Sequence, residues 1–206
     1  MKRRIFIAIN LPENIKDKLV RYQDELNDLL SRRNSNVYQG EEGLVRWTRK
    51  GNLHITLVFI GYVSDDETYE ICQIIKKTAK THHPFLINLE RIILAPPTPI
   101  GKPPKLPRMF WVEGKESQEL AKLRNDLENS LWDSEHSGYK QKESRAYKPH
   151  INLGRIKQGQ WRKLSPQPKA EKIFNNSFLV ETIEVMQSNL KRSGAEYSVL
   201  ESVTLG

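Results

Sequence analysis

Residues Asn52–Phe59 read NLHITLVF, and residues Lys148–Arg155 read KPHINLGR. Each stretch sets a histidine at the head of a short apolar run, with a small polar residue two positions on. Thr56 follows His54, and Asn152 follows His150. Alternate side chains of a strand share a face, so each imidazole projects beside a hydrogen-bonding group. One such pair is commonplace. Two, in matching surroundings, suggest a duplicated device.

The surroundings do match. Arg4–Asn10 (RIFIAIN) is a β-rich run closed by Leu11 and Pro12. Ile15, Leu19, Tyr22, Leu26 and Leu29 then fall on one face of a helix, with Pro12 near its start, where proline is tolerated. Ser31–Gly43 reads as a polar loop, and LHITLVFIG as a buried strand ending at Gly61. Ser64 and Glu67 have capping-box spacing, ahead of a helix with Ile71, Ile74, Ile75 and Thr78 inward. FLINLERIILAP follows as a strand. From Pro96 to Pro107 the prolines of PPTPIGKPPKLP remove too many backbone donors for helix or central strand. Beyond this seam the order returns. RMFWVEG resembles the first strand, and Leu120, Leu123, Leu127 and Leu131 mark a helix. A polar loop then runs to about Arg145, PHINLGRI answers LHITLVFI, and SFLVETIEVMQS parallels PFLINLERIILA. Phe110 stands to the second unit as Phe6 does to the first, and Phe178 as Phe85 does. The closing GAEYSVLESVTLG alternates like an edge strand.

The expected fold is therefore α+β. One bilobal domain spans residues 1–206, with a first repeat over about 1–95, a seam over 96–107 and a second repeat over 108–206. Two such halves facing each other across a pseudo-twofold axis would bring both histidines to one cleft.

Composition narrows the class. The 206 residues are 37% hydrophobic and 28% charged, an ordinary globular balance. No apolar run approaches the roughly 18 residues of a membrane span, and the apolar stretch after Lys2–Arg4 is too short for a signal-peptide core. The single cysteine, Cys72, leaves no internal disulfide to form, so a cytoplasmic, reducing setting and a packing role for Cys72 are expected. A net charge of +8 favours a polyanionic partner such as RNA, although the basic residues are scattered.

Histidine titrates near 6.5, so at neutral pH one imidazole can act as base and its twin as acid. In-line displacement at a phosphodiester needs both, on opposite sides of phosphorus. Thr56 and Asn152 would hold phosphate oxygens. A zinc site needs three or four ligands, and no Asp, Glu or Cys stands at ligand spacing beside either motif, so neither metal nor other cofactor is expected. His82 and His83 read as a turn and His136 as part of a polar loop. No Gly-x-Ser-x-Gly elbow or catalytic cysteine is evident.

These motifs carry a resemblance. RIFIAINLP, VRWTRKGNLHITLVFIG, MFWVEG, YKPHINLGR and MQSNLKRSGAEYSVL together resemble the LigT/ThpR-type RNA 2′,3′-cyclic phosphodiesterases of the two-histidine (2H) phosphoesterase superfamily, also described as 2′-5′ RNA ligases. His54, Thr56 and His150 match its His-x-Thr/Ser pattern, whereas Asn152 departs from it. The resemblance implies a bilobal α+β fold and metal-free hydrolysis of a 2′,3′-cyclic phosphate to a 2′-phosphate. It assigns His54 as proton donor and His150 as proton acceptor. It also implies a monomer acting on RNA ends or cyclic nucleotides, and substrate contacts by Arg155 and by Phe59 as a stacking surface. Both lie five positions after their histidine, a parity that in a regular strand points away from the cleft. Lys148 is a further basic candidate. Other substrates within the family's chemistry are a 2′-5′ oligonucleotide or a cyclic ADP-ribose phosphate, and Asn152 leaves open a non-catalytic RNA-end-binding protein. SRRNSN and GKPPKLPR could add positive charge along an RNA backbone.

Overall fold

Ile5, Ile7 and Ile9 are buried on one side of the first strand, and Phe6 and Ala8 on the other. A strand covered on both faces belongs in the middle of a sheet, and this one does lie there. The computed structural model describes residues 2–33, 43–97, 101–103, 105–135, 137, 139, 147–164, 170–191 and 194–206. Most of the 31–43 loop, part of the proline-rich seam and His136 fall outside them.

In chain order the elements are β1 (Arg3–Asn10), α1 (Glu13–Arg33), β2 (Val45–Trp47), a 3₁₀ turn (Lys50–Asn52), β3 (His54–Val63), α2 (Asp65–Ala79) and β4 (Phe85–Ala95). They continue with β5 (Met109–Gly114), α3 (Gln118–Asp133), β6 (His150–Ile156), α4 (Gln158–Trp161), β7 (Lys172–Val180), β8 (Thr182–Lys191) and β9 (Gly194–Thr204). The strands make one sheet in the order β7-β4-β5-β6-β3-β1-β8-β9, with β2 also pairing β6. Every pairing is antiparallel.

That order runs alike from both ends: β6 and β3 are central, then β5 and β1, then β4 and β8, with β7 and β9 at the edges. Each expected repeat sends its last long strand away. β4 pairs with β5, and β8 pairs with β1. Two details of the expected correspondence therefore change. The strand answering β4 by position is β8, so the Phe178 of β7 is not the partner of Phe85. Phe6 pairs with Phe59 whereas Phe110 pairs with Gly154, so Met109, opposite Arg155, answers Phe6.

The helices form where apolar spacing and caps agree. Ile15, Leu19, Tyr22 and Leu26 are buried, but the stripe on α1 ends on Leu30 at 3% exposure rather than Leu29 at 37%. The helix also runs to Arg33, past the expected break at Ser31. On α2 the capping box is complete: Ser64 Oγ accepts from Glu67 N at 3.1 Å, and Ser64 N donates to Glu67 at 2.6 Å. Ile71 and Ile75 are fully buried and Ile74 half-buried. Leu120, Leu123, Leu127 and Leu131 of α3 are buried as expected, and Cys72 packs into the same core. This core joins the helices to one face of the sheet. The other face carries a small buried cluster of Phe6, Ala8 and Met186, with Tyr197 against it.

The third strand partner of β6 depends on a glycine. A Cβ on Gly154 would lie 2.8 Å from Trp47 Cε3 and 2.8 Å from Val45 Cγ1. Trp47 cannot retreat, because it stacks on buried Phe110 at 5.7 Å. Gly154→Ala is expected to destabilise the fold by about 1–3 kcal/mol through overpacking. Gly159→Ala, where an added Cβ would meet nothing within 4 Å beyond its own turn of helix, serves as the control. Urea unfolding of both variants measures the difference, and equal midpoints would refute this packing account.

Candidate active site

β3 and β6 meet at one registered pair, Ile55 opposite Ile151. Both isoleucines are fully buried on the helix side. Antiparallel alternation from that pair sets His54 across from Asn152 and Thr56 across from His150, all four on the opposite face. Four separate sequence positions thus become one cross-strand quartet. His54, Thr56 and His150 are half-buried, and Asn152 is exposed.

The two imidazoles are held alike. His54 Nδ1 lies 2.7 Å from the Asn52 carbonyl, and His150 Nδ1 lies 3.0 Å from the Lys148 carbonyl. A carbonyl only accepts, so Nδ1 carries hydrogen in both rings and Nε2 is the atom that can gain or lose a proton. His54 Nε2 is 3.0 Å from Thr56 Oγ1, whose hydroxyl donates to it in the neutral ring. Burial holds the His54 pKa below its ordinary value of 6.5, with the Asn52 carbonyl working against that shift and the charge of His150 adding to it.

Aromatic rings brace each imidazole. Phe6 lies 5.0 Å from His54, and Tyr197 meets it edge-on at 5.2 Å. Trp111 stacks on His150 at 4.2 Å. Sequence reasoning assigned none of these three a site role. Phe6 and Trp111 sit in the quoted strand motifs, and Tyr197 in the closing one, but only the register shows which face they take.

Phe59 and Arg155 correct the parity expectation. Between Ile7 and Ala8 the β1–β3 register shifts: Ile7 faces Val58 while Ala8 faces Thr56, leaving Leu57 unmatched. Between Phe110 and Trp111 the β5–β6 register shifts the same way, leaving Leu153 unmatched. Each is a β-bulge, in which two consecutive residues turn to one side. Leu57 and Val58 both face the core, as do Leu153 and Gly154. Phe59 and Arg155 are thereby returned to the face of their histidines. Phe59 is exposed, at 6.1 Å from Phe6. The signal was present as a doubled apolar position after Thr56 and as Leu153–Gly154 after Asn152.

Arg46 was also missed. It is directly opposite Arg155 in the β2–β6 pair, and both are exposed. Like charges opposed across strands are unfavourable, and an anion between them would relieve this. Its guanidinium reaches Gly194, where a Cβ would lie 2.6 Å from Nη2. Lys148 is engaged elsewhere, its ammonium 2.9 Å from the buried Glu113, which Arg91 also contacts at 3.0 Å. Among the described residues, no three His, Cys, Asp or Glu side chains gather as metal ligands.

The chain is similar to known proteins along most of its length. The family model described as LigT like Phosphoesterase matches residues 9–103. A Methanothermobacter thermautotrophicus protein named RNA 2′,3′-cyclic phosphodiesterase is 28% identical over 203 residues, covering 98% of each chain. An Aeropyrum pernix protein of the same name is 32% identical over 157 residues, 74% of this chain and 81% of that one. In fold, a Thermus thermophilus structure superposes with TM-score 0.73 at 24% identity, covering 98% of this chain and 97% of its own. Escherichia coli LigT, solved with 3′-AMP, gives 0.67 at 23% identity over 100% and 99%. With a shared fold over the full length, and sequence similarity reaching both histidine strands, the chain belongs to the LigT-like phosphoesterase family.

Proposed function

We propose that this protein hydrolyses 2′,3′-cyclic phosphate ends of RNA to 2′-phosphates, with His54 as proton donor and His150 as proton acceptor. One observation carries the reading. Both imidazoles are anchored through Nδ1 to their own strand and keep Nε2 for chemistry on one shared face. The relatives' name, RNA 2′,3′-cyclic phosphodiesterase, supports the substrate class.

His150 Nε2 takes a proton from water as the water oxygen bonds to phosphorus. The bond from phosphorus to the 3′ oxygen breaks, and that oxygen leaves with the proton from His54 Nε2. The 2′-phosphate remains, and proton exchange with solvent resets both rings. Thr56 Oγ1 and the Asn152 amide donate to the non-bridging oxygens, Phe59 offers a base a stacking face, and Arg155 with Arg46 neutralises phosphate along the strand.

Each histidine is expected to matter on the scale of general acid–base catalysis. His54→Ala and His150→Ala should each lower turnover about 10²–10⁴-fold. A cyclic-phosphate-ended RNA is the substrate, and the wild-type rate should be the same in EDTA. Near-full activity in either variant, or a requirement for added metal, would overturn the assignment.

Asn152 tests the departure from the family pattern. Its NH₂ can donate to an anion as a threonine hydroxyl does. A hydrogen bond to a charged group contributes about 1.5–3 kcal/mol. Asn152→Ala should therefore cost about 10- to 100-fold, and Asn152→Thr should stay within about tenfold of wild type. An inactive wild type switched on by Asn152→Thr would mark the protein as a binder of RNA ends instead.

A further inference from the structure

The bulges at Leu57 and Leu153 are what bring Phe59 and Arg155 to the cleft, and each bulged carbonyl has a buried side chain on it. Gln23 of α1 donates from Nε2 to the Leu153 carbonyl at 2.9 Å and to the Thr48 carbonyl at 3.0 Å. Thr48 N also donates to the Leu153 carbonyl, at 2.8 Å. On the other arm, Arg124 of α3 donates from Nε to the Leu57 carbonyl at 3.2 Å. Tyr147, whose ring lies under the Arg124 guanidinium at 4.8 Å, donates its hydroxyl to the Thr56 carbonyl at 2.7 Å.

Both donors are buried. Gln23 is 5% exposed and Arg124 3%. A buried polar side chain is costly unless bonded, and a buried charge more so. Arg124 has its counter-charge in Glu128, 3.0 Å away and itself held by the Tyr139 hydroxyl at 3.1 Å. A bulge drops one residue from the ladder; at Leu57 the carbonyl takes its donor from Arg124, and at Leu153 Gln23 adds a second donor to the one from Thr48 N, filling both lone pairs. The arrangement is also crossed. Gln23 comes from the helix after β1 and holds the His150 strand, while Arg124 comes from the helix after β5 and holds the His54 strand.

We infer that Gln23 and Arg124 are positioning residues for the cleft, each fixing the bulge in the opposite histidine strand. In that way Gln23 sets where Asn152 and Arg155 stand, and Arg124 sets where Thr56 and Phe59 stand. The inference rests on the phosphodiesterase reading above and extends it to two residues that touch no substrate. Neither donor is needed to complete its helix, and apolar side chains would fill the same space. Each one meets a bulge carbonyl, Gln23 together with the Thr48 carbonyl and Arg124 together with Glu128.

Double-mutant cycles provide the test, with a cyclic-phosphate-ended RNA as substrate. Gln23→Met keeps the volume and removes the donor. It should raise KM about tenfold or more and lower kcat by less, because Arg155 is displaced while His150 keeps its tie to Lys148. A residue acting through Arg155 loses its effect once Arg155 is gone. The double variant Gln23→Met/Arg155→Ala should therefore match Arg155→Ala alone, a coupling of roughly tenfold. On the other arm, Arg124→Lys retains a cation for Glu128 but loses the guanidinium Nε. It should couple to Phe59→Ala in the same way, and it keeps the inference testable if Gln23→Met does not fold. Effects that multiply on either arm, or a KM unchanged by the single variants, would overturn the inference and leave the histidine assignment standing. A wild type that did not turn over the substrate would instead remove the phosphodiesterase reading, and the inference with it.

Discussion

The pairing of Ile55 with Ile151 at the centre of the sheet decides where everything else stands. Both side chains are fully buried against the helix layer. A slip of one residue in either strand would turn its isoleucine toward the cleft and its histidine into the core. The penalty would fall on two large apolar groups and an imidazole at once. Core packing therefore holds the histidine strands in register, and the Nδ1 ties to Asn52 and Lys148 then orient the rings.

From that pair outward, the two arms are built alike and finished differently. Each has a histidine tied by Nδ1 to the carbonyl two residues earlier, then a polar residue, then a bulge, then a side chain returned to the cleft. His54 lies among Phe6, Tyr197 and the Thr56 hydroxyl, whereas His150 lies flat on Trp111. Burial favours the neutral form of His54 in the free protein. An anionic phosphate between the arms would favour the imidazolium and restore it as an acid when substrate is bound. Unequal surroundings of this kind are how two chemically identical groups come to divide acid and base roles.

Much of this was legible because it is local. Helix stripes, the Ser64–Glu67 cap and the recurrence of His-x-polar depend on residues a few positions apart. What was not legible depends on partners far along the chain. The exchange of β4 and β8 between halves leaves no trace in periodicity, since both strands read as buried wherever they pair. The parity of Phe59 and Arg155 failed for a subtler reason: alternation presumes a regular ladder, and Leu57 and Leu153 interrupt it. Two adjacent core residues hinted at bulges, but a doubled apolar position also fits a strand covered on both faces, as β1 is. Arg46 escaped notice because β2 is three residues long, and its importance comes from lying opposite Arg155.

The central claim is that His54 and His150 divide the proton transfers, and the pH dependence of kcat/KM in wild type and the two alanine variants tests it most directly. His54 must be protonated to donate, and its pKa in the free protein lies below 6.5. The protonated fraction falls as pH rises through that value, so the alkaline limb left in His150→Ala, where His54 acts without its twin, should lie below 6.5. For kcat, which reports the bound state, that limb should lie at higher pH. The account predicts that His54→Ala abolishes the alkaline limb alone and His150→Ala the acidic limb alone. An alkaline limb that survives in His54→Ala would contradict it.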